Sequence, residues 1–141
     1  MPKEQTKTDF AKPIVDFIRR AADGRPYLSG SRCRSCGYTY VGQREVCARC
    51  FARGAMDEIE LADSGRLYVW SIIHRSFPGI KTPFIDAVVD LVDGAHLKGI
   101  LRGVAPDPES IGFDMSVRVV FDEVVPVGQE VPYLSYFFEP A

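Results

Sequence analysis

Outside one eighteen-residue window, 33–50, the chain contains no cysteine. Histidine is nearly as scarce, with only His74 and His96. No apolar run approaches the roughly 18 residues that a membrane-spanning helix requires, so no membrane role is expected. The first residues, MPKEQTKT, are polar, lack the apolar segment of a secretory signal and read as an unstructured tail. A cytosolic protein is the expectation. There is no G-x-S-x-G, no H-E-x-x-H and no phosphate-cradling glycine loop leading into a helix. Neither histidine accompanies a nucleophile in a recognisable motif, and ordinary strand-edge packing is the simpler role for both. Asp86, Asp90 and Asp93 read as a solvated face and Trp70 as core. The chain advertises no active site of its own.

What is present begins with the cysteines. Cys33 and Cys36 form one C-x-x-C pair, and Cys47 and Cys50 form a second, ten residues further on. In a reducing compartment two such pairs suit a metal better than two disulfides. A C-x-x-C turn brings two sulfurs to one side of an ion, and two facing turns complete a tetrahedral four-sulfur site. Gly37, directly after Cys36, suits the left-handed turn. Zinc is favoured over iron, as a single structural ion, because a closed Cys₄ set leaves no open position for water or substrate. About thirty residues cannot build a core of their own, and the ion replaces one. Residues 25–55 are therefore read as a rubredoxin-like zinc ribbon.

Charge is unevenly spread. Residues 19–56 carry eight arginines against Asp23 and Glu45, a net +6, while residues 57–141 carry six bases against fourteen acids, a net −8. Such asymmetry bears on partners rather than on fold.

Before the ribbon, Pro13 fits the first turn of a helix, and Ile14, Phe17, Ile18 and Ala21 recur at helical spacing with Gly24 as a stop. The expectation is a short helix that packs on its own domain or on another subunit, making residues 1–24 a tail and helix. After the ribbon the pattern is β. Residues 65–77 alternate with Leu67, Val69, Ser71 and Ile73 on one face and Tyr68, Trp70, Ile72 and His74 on the other, both largely apolar and so expected to be covered. Residues 83–94 place Ile85, Ala87, Val89 and Leu91 inward and end in Asp93-Gly94, a strong hairpin signal. Further strands are expected in 96–104, where Gly99 and Gly103 mark bulges or coiling, and in 115–124 and 133–140. Five such strands in 56–141 suit a Greek-key barrel of the OB type. The fold class is thus mainly β: an N-terminal helix, a zinc ribbon and a five-stranded OB-fold barrel at the C-terminal end.

The ordered series SRCRSCGYTYVGQREVCARC, SGRLYVWSIIH, PFIDAVVDLVDGAHLKGIL, IGFDMSVRVVF and a closing FFEP resembles the DUF35 family of zinc-ribbon and OB-fold proteins. The likeness spans residues 13–140. One departure is the approach to the second cysteine pair, where the family's proline-rich segment reads GQREVCARC. The resemblance implies a non-catalytic accessory subunit of a thiolase-superfamily acyl-CoA enzyme, a β-ketoacyl-CoA thiolase or a relative. That partner would supply the catalytic cysteine and histidines. The accessory chain would stabilise it and help form the channel for coenzyme A, so a CoA ester is expected only at the interface between them. Arg34, Arg44, Arg49 and Arg53 on the ribbon are candidates for contact with the CoA phosphates or the partner. For any single one of them, solvation or pairing with an acid is the plainer role. Phe77 and Ile80, apolar residues in an apparent connection, are further candidates for the partner interface.

Two other readings stay open. Ribbons and OB barrels both bind single-stranded nucleic acid, and the arginines favour that, whereas the acidic barrel opposes it. Independent binding of acyl-CoA is the third.

Overall fold

The structure is a computed structural model and describes residues 11–141. The polar tail expected at residues 1–8 lies outside the described residues. Ten strands and no helix make up the described chain. The barrel consists of β6 (Ser64–Ile73), β7 (Phe84–Leu91), β8 (His96–Leu101), β9 (Ser116–Val124) and β10 (Tyr133–Pro140). β6, β7 and β8 form an antiparallel meander. β8 then pairs in parallel with β10, at Leu101 and Phe138. β10 runs antiparallel to β9, and β9 returns to the start of β6 through Ser64–Arg118 and Arg66–Ser116. The circuit β6-β7-β8-β10-β9-β6 is closed and OB-like, so its five strands leave few free edges.

The inward face of β7 is the one the alternation indicates: Ile85, Ala87, Val89 and Leu91 are buried, with Phe84, Asp86, Val88 and Asp90 less so. Leu97, Leu101, Val117, Val119, Leu134 and Phe138 complete the filling. Gly99 is needed for closeness rather than for a bulge. A Cβ there would lie 2.8 Å from the Tyr136 ring and 3.0 Å from the Phe138 ring. Asp93 and Gly94 make the β7–β8 turn, with Gly94 at φ 99° and its N–H donated to the Leu91 carbonyl.

β6 departs from simple alternation. The register shifts between Leu67 and Val69, so a bulge inserts one residue. Beyond it Trp70 and Ile72 pair with inward Ala87 and Ile85, and Tyr68 and Val69 are exposed. The expectation that both faces are covered therefore fails at these two residues. An extra residue reverses which parity faces the core.

A second sheet is built on β3 (Pro26–Cys33), which pairs with β2 (Ile18–Arg20), β4 (Thr39–Val41) and β5 (Met56–Glu60). Ser29 donates its N–H to Phe17 and accepts from Gly42, so β2 and β4 follow one another along one edge of β3. β5 covers the other edge. Ile18, Leu28 and Leu61 belong to the same buried cluster as the barrel residues. The sheet is thus rooted in the barrel core.

The expected N-terminal helix is replaced by two short strands. β1 (Lys12–Pro13) pairs in parallel with Tyr133–Leu134 of β10, and β2 pairs with Pro26–Leu28 of β3. Gly24 does take a positive φ, 91°, but at the β2–β3 turn rather than at a helix end. Ile14 is exposed and Ile18 buried, so the two do not share a face. A helix of seven to ten residues is marginal without packing. Two sheet edges were available to satisfy the same backbone groups, and they win.

Phe138 has no exposed surface and sits where the parallel β8–β10 pairing completes the circuit. Replacing it with Ala is expected to destabilise the fold by about 3–5 kcal/mol. Urea unfolding checks this, and a loss below about 1 kcal/mol would contradict the packing described.

Candidate functional site

The end of β3 delivers Cys33, and a tight turn follows it. Cys33 donates its N–H to the Tyr38 carbonyl at 2.9 Å, and Gly37 donates to the Cys33 carbonyl at 2.8 Å. The second turn repeats this geometry: Cys47 donates to the Ala52 carbonyl at 3.0 Å and Phe51 donates to the Cys47 carbonyl at 2.8 Å. Each turn presents two sulfurs, and the four meet. Cys33 and Cys50 Sγ lie 3.7 Å apart, Cys36 and Cys47 Sγ 3.5 Å apart, and all four sulfurs fall within 4.8 Å of one another. A tetrahedron with Zn–S bonds of about 2.3 Å has edges of about 3.8 Å. The cluster fits one tetrahedral ion held by sulfur alone. Cys33 and Cys47 are buried, Cys36 is half-buried and Cys50 is exposed.

The protons of the four thiols are unequally held. Cys47 is drawn down to about 6, chiefly by the Tyr40 hydroxyl at 3.4 Å and also by the N–H groups of Cys50 and Arg49. Cys33 is lowered, first by the Cys36 N–H. At Cys36 the Tyr38 N–H acts downward, but lost hydration and the three neighbouring sulfurs outweigh it and push it up to about 11. Thiols this close cannot all ionise without a cation between them.

Tyr40 braces the second turn twice: its hydroxyl meets Cys47 Sγ and accepts the Ala48 N–H at 2.9 Å. Tyr38 and Tyr40 rings stand edge to face, 5.0 Å between centroids. Tyr38 also reaches the barrel. Its hydroxyl lies 3.3 Å from His96 Nε2, and His96 Nδ1 lies 2.6 Å from Asp90. His96 is thus a bridge between sheet and barrel, more than a packed strand end. Trp70 is partly buried against the core as expected, with its ring 5.9 Å from that of Phe113.

The candidate contact residues fall into two places. Arg34 is occupied, holding Asp57 at 2.6 Å and the Gly54 carbonyl at 3.1 Å. Arg44 lies 4.2 Å over the Tyr40 ring and Arg49 5.6 Å over the Tyr38 ring. Arg53 is exposed and bridges Val46 through the backbone. Phe77 and Ile80 are in the β6–β7 loop, away from the ribbon in sequence, and both are exposed. A Cβ at Gly79 would lie 3.2 Å from Val127, so this loop touches the β9–β10 loop, which exposes Val125, Val127 and Val131. The sequence reading missed these three valines. Their signal was weak, since valines beside Pro126 and Pro132 read equally well as strand ends.

Comparison with known proteins agrees with this architecture. A family profile described as ChsH2, C-terminal OB-fold domain, matches residues 58–122. A DUF35 domain-containing scaffold protein of Methanocaldococcus jannaschii is 31% identical over 80% of this chain and 81% of its own length. The benzoylsuccinyl-CoA thiolase subunit BbsA of Thauera aromatica is 30% identical over 96% of this chain and 92% of its own. Among solved structures, the Ltp2-ChsH2(DUF35) aldolase superposes with a TM-score of 0.64 and 26% identity, covering 81% of this chain and 84% of that one. With the barrel, the cysteine turns and a scaffold relative aligned over most of its length, the chain belongs to the DUF35 family.

Proposed function

We propose that this chain is a non-catalytic accessory subunit of a thiolase-superfamily acyl-CoA enzyme, stabilising the catalytic subunit and contributing to its CoA channel. The observation that carries the reading is the four-sulfur cluster, a structural device, in a chain that aligns nearly end to end with a subunit of benzoylsuccinyl-CoA thiolase. The relatives named as scaffolds point the same way. A β-ketoacyl-CoA thiolase such as benzoylsuccinyl-CoA thiolase is the nearest concrete assignment. Among the described residues no helix is long and apolar enough to cross a membrane. The cytoplasm is the proposed location.

In this reading Cys33, Cys36, Cys47 and Cys50 bind one zinc ion. When bound, the ion supplies cross-linking: it ties the end of β3 to the second turn and fixes the ribbon's shape. The chain's own residues prepare for it. Tyr40 keeps Cys47 low in pKa, and the backbone N–H groups of both turns face the sulfurs. Arg44, Arg49 and Arg53 remain the proposed contacts for the partner or CoA on the ribbon, and Phe77 and Ile80 on the barrel. Arg34 is the weakest candidate, because leaving Asp57 and Gly54 has a cost.

Two outcomes follow. Metal analysis should find one zinc per chain. Loading the metal-free chain at pH 7 should release fewer than four protons, roughly three, because Cys47 at about 6 is already mostly thiolate whereas Cys36 at about 11 is not. Calorimetry in buffers of different ionisation enthalpy counts them, and release of four would contradict the split. Acid opposes binding, since each thiol must lose its proton to ligate.

The tagged chain, isolated from its own host, should carry a thiolase-superfamily polypeptide in fixed ratio, identified by mass. The chain alone should bind neither CoA esters nor single-stranded oligonucleotides tightly. A lone monomer with micromolar, salt-sensitive affinity for single strands would replace this proposal with the nucleic-acid reading.

A further inference from the structure

The two cysteine turns are the same device built twice, and they differ at one telling position. Counting from the first cysteine of each, Gly37 and Phe51 occupy equivalent places. Each donates its N–H at 2.8 Å to the carbonyl four residues earlier. Both have positive φ, 83° at Gly37 and 66° at Phe51. A left-handed backbone suits glycine and is a true outlier for a bulky side chain. The second turn therefore holds an aromatic residue where the first shows that glycine serves. Packing does not compensate, because Phe51 is 77% exposed. Strain that no internal contact rewards is a pointer to function.

The surroundings indicate what Phe51 meets. Arg19, Arg25 and Arg34 each hold a carboxylate of β5: Glu58, Glu60 and Asp57. Arg44, Arg49 and Arg53, all within seven residues of Phe51 in sequence, hold no carboxylate among the described residues. The Arg44 and Arg49 guanidinium groups instead lie over the Tyr40 and Tyr38 rings. Glu45 is the acid nearest to them in sequence. A protruding aromatic close in sequence to three arginines without carboxylate partners has the composition of the centre and rim of a protein interface.

We infer that Phe51 is an anchor residue that inserts into an apolar pocket of the catalytic subunit, the pocket being rimmed by carboxylates that receive Arg44, Arg49 and Arg53. This rests on the accessory-subunit reading and adds to it the side of the chain that docks and the chemistry of the receiving surface. A nucleic-acid partner fits less well. One exposed ring on the ribbon gives no stacking series there, and the segment beyond the ribbon carries −8. Charge balance for a zinc-bound tetrathiolate would explain the arginines but not the phenylalanine.

The decisive variant is Phe51→Gly, which removes the ring and relieves the backbone together. With the thiolase-superfamily polypeptide that co-purifies with the chain, purified and titrated by calorimetry, Phe51→Gly should weaken binding at least about tenfold. The same variant should keep one zinc per chain and melt no lower than the parent. Phe51→Tyr should retain most of the affinity. Arg49→Ala with Arg53→Ala should slow association and flatten its salt dependence, since rim charges act on encounter. Wild-type-like affinity of Phe51→Gly for a partner that the parent does bind would overturn the inference and leave the accessory role standing. A Phe51→Gly chain that melts lower and loses zinc would also overturn it, by giving the ring a structural role. If the parent chain binds no such polypeptide, the accessory reading itself fails, and this inference with it. Salt-sensitive binding of the parent to a single-stranded oligonucleotide, abolished in Phe51→Gly, would reassign the ring to base stacking.

Discussion

Four sulfurs held within 4.8 Å of each other are an electrostatic problem before they are a binding site. Ionised without a counter-charge they repel, and as thiols they spread from about 6 at Cys47 to about 11 at Cys36. A divalent cation at the centre would resolve the conflict, because it would make every sulfur an anion and hold all four at once. Neither turn is supported by a core of its own. Cys33 and Cys47 are its buried apolar-sized residues, and the side chains around them are tyrosine, arginine and alanine.

The ribbon is nonetheless not a bead on a string. β3 enters the sulfur cluster at one end and the barrel core at the other, where Ile18 and Leu28 pack with Leu61. The Asp93 carboxylate accepts the Ala62 N–H at 2.7 Å and so pins the β5–β6 connection against the β7–β8 turn. The Tyr38 hydroxyl touches His96 of the barrel as well. The barrel core and the four-cysteine tip are thus joined through one continuous strand, β3.

How far the sequence discloses this depends on whether the controlling contact is local. The four cysteines need only their own spacing, and Ile85, Ala87, Val89 and Leu91 need only the period of a strand. The convergence of the four sulfurs and the inward face of β7 both read correctly. Asp93-Gly94 is a local turn and reads correctly as well. The N-terminal segment fails for the opposite reason. Ile14, Phe17 and Ile18 fit a helix by count, but the partners that decide are Leu28, across a turn, and Leu134, far along the chain. The bulge at Leu67 to Val69 is equally silent, because nothing in LYVW marks the point where parity changes. Gly99 sends a signal that is right in kind and wrong in cause: it marks a close approach of rings, not a bend.

Charge shows the same division between what is counted and where it sits. The +6 of residues 19–56 and the −8 that follows imply two oppositely charged modules. In space the boundary dissolves, because β5 brings Asp57, Glu58 and Glu60 alongside the arginines of the first half and pairs with three of them. These exposed pairs add little stability each. Their larger effect is subtraction. By pairing with Arg19, Arg25 and Arg34 they leave Arg44, Arg49 and Arg53 as arginines without a carboxylate partner among the described residues, close in sequence to the one bulky residue that the second turn holds in a left-handed conformation. A surface where backbone strain, an exposed ring and carboxylate-free arginines coincide within ten residues is hard to attribute to folding, since each of the three works against the isolated chain.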